Sequence, residues 1–366
     1  MPPLAINGRF LTQAMTGVQR FAQEVTGALD ALAAAGEVSP APRLLVPPGA
    51  ELPAYRALRV ETVGTRGGQG WEQRELPAAV GDAILLNLGN TAPMRLGRRQ
   101  AVVIHDAGVF DTPGSYAFAF RAWYRFLHRA LPRVGARVVT VSEFSRGRLA
   151  LRLGIPAARI GVMPEGGEHI LRVPADASVL AQHGLAPGRY ALVVGTGAAH
   201  KGLDALRGAA ALLGARGLLL AVVGGADPAV FRSGFEGTGG AVRPLGRQSD
   251  AALRALYENA LCLLFPSRYE GFGLPPLEAM TCGCPVIAAR AGAVPEVCGD
   301  AALWFEAEAP EDLAAALARL LDEPGLRGTL TARGHERAAA FSWQRAARTL
   351  LRLALPESVP TGMAAS

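Results

Sequence analysis

The chain has 366 residues, is 50% hydrophobic and 19% charged, and carries a formal net charge of +6. That length predicts two domains, and that much apolar material excludes a disordered chain. No apolar run approaches the roughly 18–20 residues of a membrane-spanning helix, and no hydrophobic leader precedes Arg9, so neither a span nor a signal peptide is expected.

In chain order, the strand-like runs of the first half are Leu4–Asn7, Arg43–Val46, Ala83–Asn87, Ala101–His105, Arg137–Val141 and Arg159–Met163. Helical patterns lie between them, notably Val18–Ala35, Ser115–Leu131 and Glu143–Leu153. The second half alternates in the same way. Its strands are Tyr190–Val194, Leu218–Val223, Leu261–Phe265, Pro285–Ala289 and Ala301–Phe305. Its helices are Lys201–Ala215, Asp250–Ala260, Pro276–Cys282, Glu311–Asp322 and Leu326–Phe341, with a last helix over Ser342–Leu355. Aliphatic strands without polar alternation, separated by helices, indicate parallel sheets covered on both faces. The expectation is an α/β protein of two Rossmann-like, doubly wound domains. The first spans residues 1–172 and the second 173–345; a helix end and tail, 346–366, complete the chain. The break falls between Gly166 and Arg189, where glycine, proline and polar residues gather. The tail Pro356–Ser366 is small and polar and is expected to be disordered.

Charge is unevenly distributed. Residues 1–172 sum to +7 and the remainder to −1, which points to an anionic partner of the first half. No nucleic-acid module is recognisable, so nucleic acid is not expected as that partner. The stretch Tyr116–Arg133 carries Phe118, Phe120, Trp123, Tyr124 and Phe126 with Arg121, Arg125, Arg129 and Arg133. An aromatic core face backed by solvated arginines accounts for it, and so does a basic amphipathic helix on an anionic membrane. Lysine occurs once, as Lys201, which suggests that its compact ammonium is required there. Cys262, Cys282, Cys284 and Cys298 lack zinc or redox spacing and read as buried thiols of a reducing cytoplasm. No metal cluster is apparent.

The richest segment is Ser267-Arg268-Tyr269-Glu270-Gly271-Phe272-Gly273-Leu274-Pro275-Pro276-Leu277-Glu278-Ala279. It follows an apolar strand, and its prolines suit the first helical positions. The amides of Phe272, Gly273 and Leu274 are then free at a positive helix N-terminus, an anion site suited to phosphate. Glu270 and Glu278, separated by seven residues, would accept hydrogen bonds from sugar or ribose hydroxyls. In the first half, Ile104-His105-Asp106 ends a strand, and Asn7-Gly8-Arg9 leads through a loop to Gly17, at a helix start.

These motifs resemble the retaining glycosyltransferases of family four, which have the GT-B fold. Their mark is two glutamates with seven residues between them within EGFGLPxxEAM. Cys284-Pro285-Val286-Ile287 and Gly292-Ala293-Val294-Pro295-Glu296 continue the likeness, as do Leu245-Gly246-Arg247, Val194-Gly195 to Lys201-Gly202, Val141 to Ser145 and Pro164-Glu165-Gly166. Nearly the whole chain is covered. The resemblance implies that Glu278 binds a nucleotide ribose and Glu270 contacts the transferred sugar. It implies that Lys201 and the Phe272–Leu274 amides hold a donor diphosphate and that Arg247 lies beside the base. It puts His105 near the donor sugar and lets the Gly17 amide meet phosphates or acceptor. Thr196 follows Gly195 where the family often has arginine, so one cation of the diphosphate site is missing there.

The function implied is metal-independent transfer of a sugar, mannose from GDP-mannose foremost, to an acceptor hydroxyl with retention of configuration. The acceptor would be a lipid-linked saccharide of a bacterial polysaccharide, reached from the cytoplasmic face of the membrane. A GT-B sugar-nucleotide epimerase and a non-catalytic nucleotide-sugar binding protein are the alternatives. No cofactor is expected, since pyridoxal phosphate would need a lysine and the single one falls in the phosphate loop.

Overall fold

The computed structural model describes residues 1–195, 199–224, 240–309 and 311–355. Thr196 and the tail Pro356–Ser366 lie outside the described residues. The first sheet contains β1 (Leu4–Asn7), β2 (Arg43–Val46), β3 (Arg59–Thr62), β4 (Ile84–Asn87), β5 (Gln100–Val103), β6 (Arg137–Thr140) and β7 (Ile160–Val162). The second contains β8 (Tyr190–Val194), β9 (Leu219–Val223), β10 (Val242–Gly246), β11 (Leu263–Phe265), β12 (Val286–Ala289) and β13 (Ala302–Phe305). Their orders are β3-β2-β1-β4-β5-β6-β7 and β10-β9-β8-β11-β12-β13, parallel throughout. Both are doubly wound from a central first strand, as the alternating pattern predicts.

The central strands are fully buried, which is why they read as unbroken aliphatic runs. The two strands that the sequence does not announce are the edges β3 and β10. β3 is largely exposed, and β10 carries Pro244, which an edge tolerates because one side of the strand needs no donor. Several helices begin at a serine whose hydroxyl accepts an amide of the first turn: Ser142 from Ser145, Ser249 from Ala252 and Ser342 from Arg345. All four cysteines are free, and burial pushes the Cys262, Cys282 and Cys298 thiols up to about 12, so they stay protonated.

The helix Trp343–Ala354 follows the second domain in sequence but packs on the first, against the Gly17–Ala34 helix and β6. Trp343 is fully buried and meets Phe21 edge-on at 5.9 Å; Arg348 pairs with Glu37 of the first domain at 2.9 Å. The chain therefore crosses between domains twice, and the crossings touch. A Cβ at Gly166 would lie 2.5 Å from the Trp343 nitrogen, so only glycine fits, and the Trp343 amide donates to Glu168 at 2.7 Å. One apolar core runs continuously through this junction from Phe21 and Met163 to Leu277 and Tyr257. The carboxyl ends of both sheets face each other across the cleft. Among the described residues, no helix is long and apolar enough to cross a membrane.

Candidate active site

The second-domain wall is built at the end of β11. The chain turns through Glu270 and Gly271 to Gly273, which sits at φ +115° and opens the Leu274–Thr281 helix with Pro275 and Pro276 in its first turn. A side chain rarely adopts that φ, so glycine is required there. Phe272 does not face the cleft. Its ring is buried edge-on to Phe341 at 5.9 Å, leaving its backbone as the part available to a ligand. Among the described residues, the amides of Phe272, Gly273 and Leu274 donate to no protein acceptor. Three free N–H groups at the positive end of a helix form an anion cradle.

Lys201 pairs with Glu270, two residues ahead of these amides, Nζ to Oε1 at 2.5 Å, and both side chains are largely but not wholly buried. Two glycines fix their backbones. Gly202 (φ +64°) lies so close to the Pro266 carbonyl that a Cβ would approach to 2.1 Å, and Gly292 (φ +59°) packs on the Glu270 backbone. The Ala293 amide also donates to the Glu270 carbonyl at 3.1 Å. The Gly292–Glu296 segment therefore supports the motif glutamate. His200, beside Lys201, reaches across the cleft to the Ser115 hydroxyl at 3.0 Å. Burial, reinforced by the Lys201 charge, holds its pKa below the ordinary imidazole value.

The first-domain wall is the backbone after β5 and β6. His105 turns its ring inward: Nε2 lies 3.1 Å from the Leu88 carbonyl, Nδ1 lies 3.4 Å from Glu165, and Phe21 packs edge-on at 4.5 Å. Both ring nitrogens are thus occupied by the first domain, and the His105 backbone borders the cleft. Its carbonyl oxygen is so close to Gly271 that a Cβ there would lie 2.7 Å away. The Ser142 and Ser145 hydroxyls donate to the Gly271 carbonyl at 2.6 and 3.0 Å. Glu296 accepts from the Glu143 and Phe144 amides at 2.8 and 3.2 Å, so a second-domain carboxylate caps a first-domain helix. Tyr269 donates to Asp111, which also binds Arg148 and Arg152. The motif loop is clamped to the first domain along its length.

Asp106 caps the following turn by accepting from the Gly108 amide at 2.6 Å. Asp106 is partly buried on the cleft wall. Burial and then the Glu270 charge push its pKa up, against the Gly108 amide and the neighbouring histidines. The folded state thus disfavours the anion, and the penalty grows as pH rises above the ordinary value of 3.8. Asp106→Asn should raise the melting temperature at pH 7, and the gain should fade on acidification towards pH 3. A pH series of thermal melts checks this; a gain that persists unchanged at pH 3 contradicts it.

Glu278 is buried, and each oxygen has a partner: His169 Nε2 at 3.0 Å and the Tyr257 hydroxyl at 2.9 Å. His169 Nδ1 in turn accepts from the Trp343 indole at 3.2 Å. The carboxylate therefore also ties the domain junction together, a role its motif position did not suggest. Its remaining lone pairs can still accept from a ligand. Glu278→Ala leaves two buried donors unpaired, at about 1–3 kcal/mol each, so a clear drop in melting temperature is expected by calorimetry.

Gly17 opens the Gly17–Ala34 helix on an exposed turn where a Cβ would meet nothing within 4 Å, so packing does not demand glycine. Arg20, one turn later, pairs with Asp250 of the second domain at 2.5 Å, which puts this helix start at the cleft wall. Arg247 is exposed in the turn after β10, ahead of the Asp250–Asn259 helix. The structure thus brings Lys201, Glu270 and the Phe272–Leu274 amides together, with the His105 backbone against them, and keeps Glu278 and Arg247 on neighbouring elements. Sequence reasoning missed His169, Tyr257, His200 and the serine pair. Ser142 and Ser145 did stand in a motif, and His200 stands beside the lone lysine.

Two Rossmann-like domains clamped over a phosphate-type cradle define a GT-B glycosyltransferase architecture. Solved structures share it. WaaG, a glycosyltransferase involved in lipopolysaccharide biosynthesis, superposes with a TM-score of 0.70 at 16% identity, covering 95% of this chain and 99% of its own. Sucrose-phosphate synthase from Thermosynechococcus elongatus gives 0.72 at 21%, covering 96% and 98%. The family model for glycosyl transferases group 1 matches residues 181–337. The O-antigen chain mannosyltransferase B of Escherichia coli is 34% identical over 264 residues, covering 69% of this chain and 68% of that protein. The MMP alpha-(1->4)-mannosyltransferase of Mycolicibacterium hassiacum is 46% identical over 103 residues, 27% of this chain and 25% of its own. The chain belongs to the group 1 glycosyltransferases.

Proposed function

We propose that this glycosyltransferase moves mannose from GDP-mannose to a hydroxyl of a lipid-linked saccharide, with retention of configuration and without a metal ion, during polysaccharide assembly. The observation that carries the reading is the Lys201–Glu270 pair with the free amides that follow Glu270 into the Leu274–Thr281 helix, against the His105–Asp106 backbone. A donor diphosphate seated on those amides receives the Lys201 charge as the sugar–oxygen bond breaks. Electrostatic stabilisation of the leaving group is then the main catalytic term. The acceptor oxygen attacks from the face the diphosphate leaves, and its proton passes to the departing phosphate oxygen. Glu270 holds the transferred sugar, His105 lies near it, Glu278 takes the ribose, Arg247 the base and Gly17 the acceptor side. Thr196, which follows Gly195 in the sequence, is assigned to the donor's binding residues without supplying a cation. The choice of mannose follows the names of the two relatives above.

The first domain then docks on an anionic membrane at its cytoplasmic face. Phe118 and Phe126 are 76% and 53% exposed, so the aromatic side of the Phe118–Arg133 helix is only partly core, and the Arg121 guanidinium stacks over Phe118 at 5.7 Å. Aromatics and arginines together suit a headgroup boundary.

Incubation with a panel of nucleotide sugars tests the donor. Slow release of free mannose from GDP-mannose, with the α anomer appearing first by NMR, is the expected result. Hydrolysis of another nucleotide sugar instead, or conversion to a new nucleotide sugar with no free sugar, sinks the donor or the transferase reading respectively. Equal nucleotide affinity in wild type and Glu278→Ala would remove the ribose role. Co-sedimentation with phosphatidylglycerol vesicles should weaken with salt and in the Arg121, Arg125, Arg129 triple serine variant.

A further inference from the structure

We propose that a second anion site lies at the opposite end of the first domain and takes a soluble molecule carrying two phosphate groups. Arg98, Arg133, Arg137 and Arg159, with Val134 and Ile155, line a cleft of about 500 Å³. Arg98 and Arg159 precede β5 and β7, Arg137 opens β6, and Arg133 ends the Phe118–Arg133 helix. The cleft therefore sits at the amino ends of these strands. The catalytic wall is at their carboxyl ends, roughly 16 Å of extended chain away along β6. It is no part of the donor site, and its existence does not rest on the reading of function above.

Its chemistry is one-sided. No carboxylate lines it, and among the described residues none of the four arginines has an acid within 4.0 Å. Arginines elsewhere in the first domain are paired: Arg148 and Arg152 share Asp111 at 2.7 and 2.6 Å. Arg137 is held in place from its own wall, donating to the Arg98 carbonyl at 3.0 Å, and Arg133 donates to the Arg129 carbonyl. The helix C-terminus favours one cation, Arg133, but accounts for none of the other three. Four like charges converging on a hollow repel one another until an anion enters.

The size and charge choose the ligand class. Small-molecule sites run to about 300–1,000 Å³, so the cleft admits more than a single phosphate. A phosphate group carries about −1.5 to −2 at neutral pH, so two of them match four arginines. Guanidinium forks pair with phosphate oxygens two at a time, which a lysine cannot do.

Inorganic pyrophosphate is the probe, followed by calorimetric titration of the full chain. Wild type should show a binding event that persists in Lys201→Ala and weakens about a hundredfold in Arg98→Ser/Arg159→Ser, about tenfold for each guanidinium removed. Arg137→Lys, which keeps the charge and loses the fork, should weaken it about tenfold. Both arginines of the double variant are exposed, so it should melt like wild type and hydrolyse donor at the same rate. Absence of any event that survives Lys201→Ala overturns the proposal, as does one indifferent to the arginine variants. If pyrophosphate does not bind while the double variant loses phosphatidylglycerol vesicles, the cleft is a membrane-docking face and the proposal is likewise overturned.

Discussion

Lys201→Ala should lower turnover by about two to three orders of magnitude, the loss typical of removing one group that meets developing negative charge. The ammonium lies at 2.5 Å from Glu270, two residues ahead of three amides that donate to no protein acceptor among the described residues, with glycines fixing the loops on either side. Its position leaves no slack. Lys201→Arg should therefore also lose most activity, because a planar fork cannot occupy the point an ammonium fills. Glu270→Ala should cut turnover comparably while nucleotide affinity changes little. The two losses should not add, since each partner orients the other, and a double-mutant cycle measures that coupling. Activity should be unchanged in excess EDTA. Full turnover in Lys201→Ala, or its abolition by chelation with recovery on adding a divalent ion, would overturn the assignment of diphosphate charge to Lys201 and the helix.

The central strands were legible because each is buried on both faces and so reads as an aliphatic run. The edges β3 and β10 were not, since half-exposed strands lose that signature and Pro244 argues locally against one. The EGFGLP segment announced its turn and its helix from local chemistry alone. What it could not announce is long-range. Nothing near Glu278 in sequence points to His169, 109 positions away, as the group that fills one of its oxygens. The end of β5 is visible in Ile104-His105-Asp106. The direction of the His105 ring is set by Glu165 and Phe21, which only the fold brings there. The Trp343–Ala354 helix carries a legible apolar face, Trp343, Ala346, Ala347, Leu350, Leu351 and Ala354 at helical spacing, but nothing in that spacing says that it covers the first domain, where Trp343 meets Phe21.

Gly271→Ala should lower turnover by at least about tenfold while leaving nucleotide affinity and the melting of the second domain nearly unchanged. Gly271 is a point of close backbone approach between the domains. A Cβ there would lie 2.7 Å from the His105 oxygen and 2.9 Å from the Asp106 Cβ. No such approach is tolerated, so one wall must move by several tenths of an ångström. The obstacle belongs wholly to the other domain, since no left-handed φ is required of this residue. Movement stretches the Ser142 and Ser145 hydrogen bonds to the Gly271 carbonyl and loosens the Glu296 cap on the Glu143–Leu153 helix. Both walls of the site are thereby displaced, and a misplacement approaching 1 Å can cost about a hundredfold in rate. Solution scattering should show a slightly more open molecule. A bulkier Gly271→Val should deepen the loss, whereas Ser145→Ala, which keeps the Ser142 bond, should cost far less. If Gly271→Ala turns over like wild type, the domains need not close this tightly for catalysis, and the clamp on the motif loop serves stability alone.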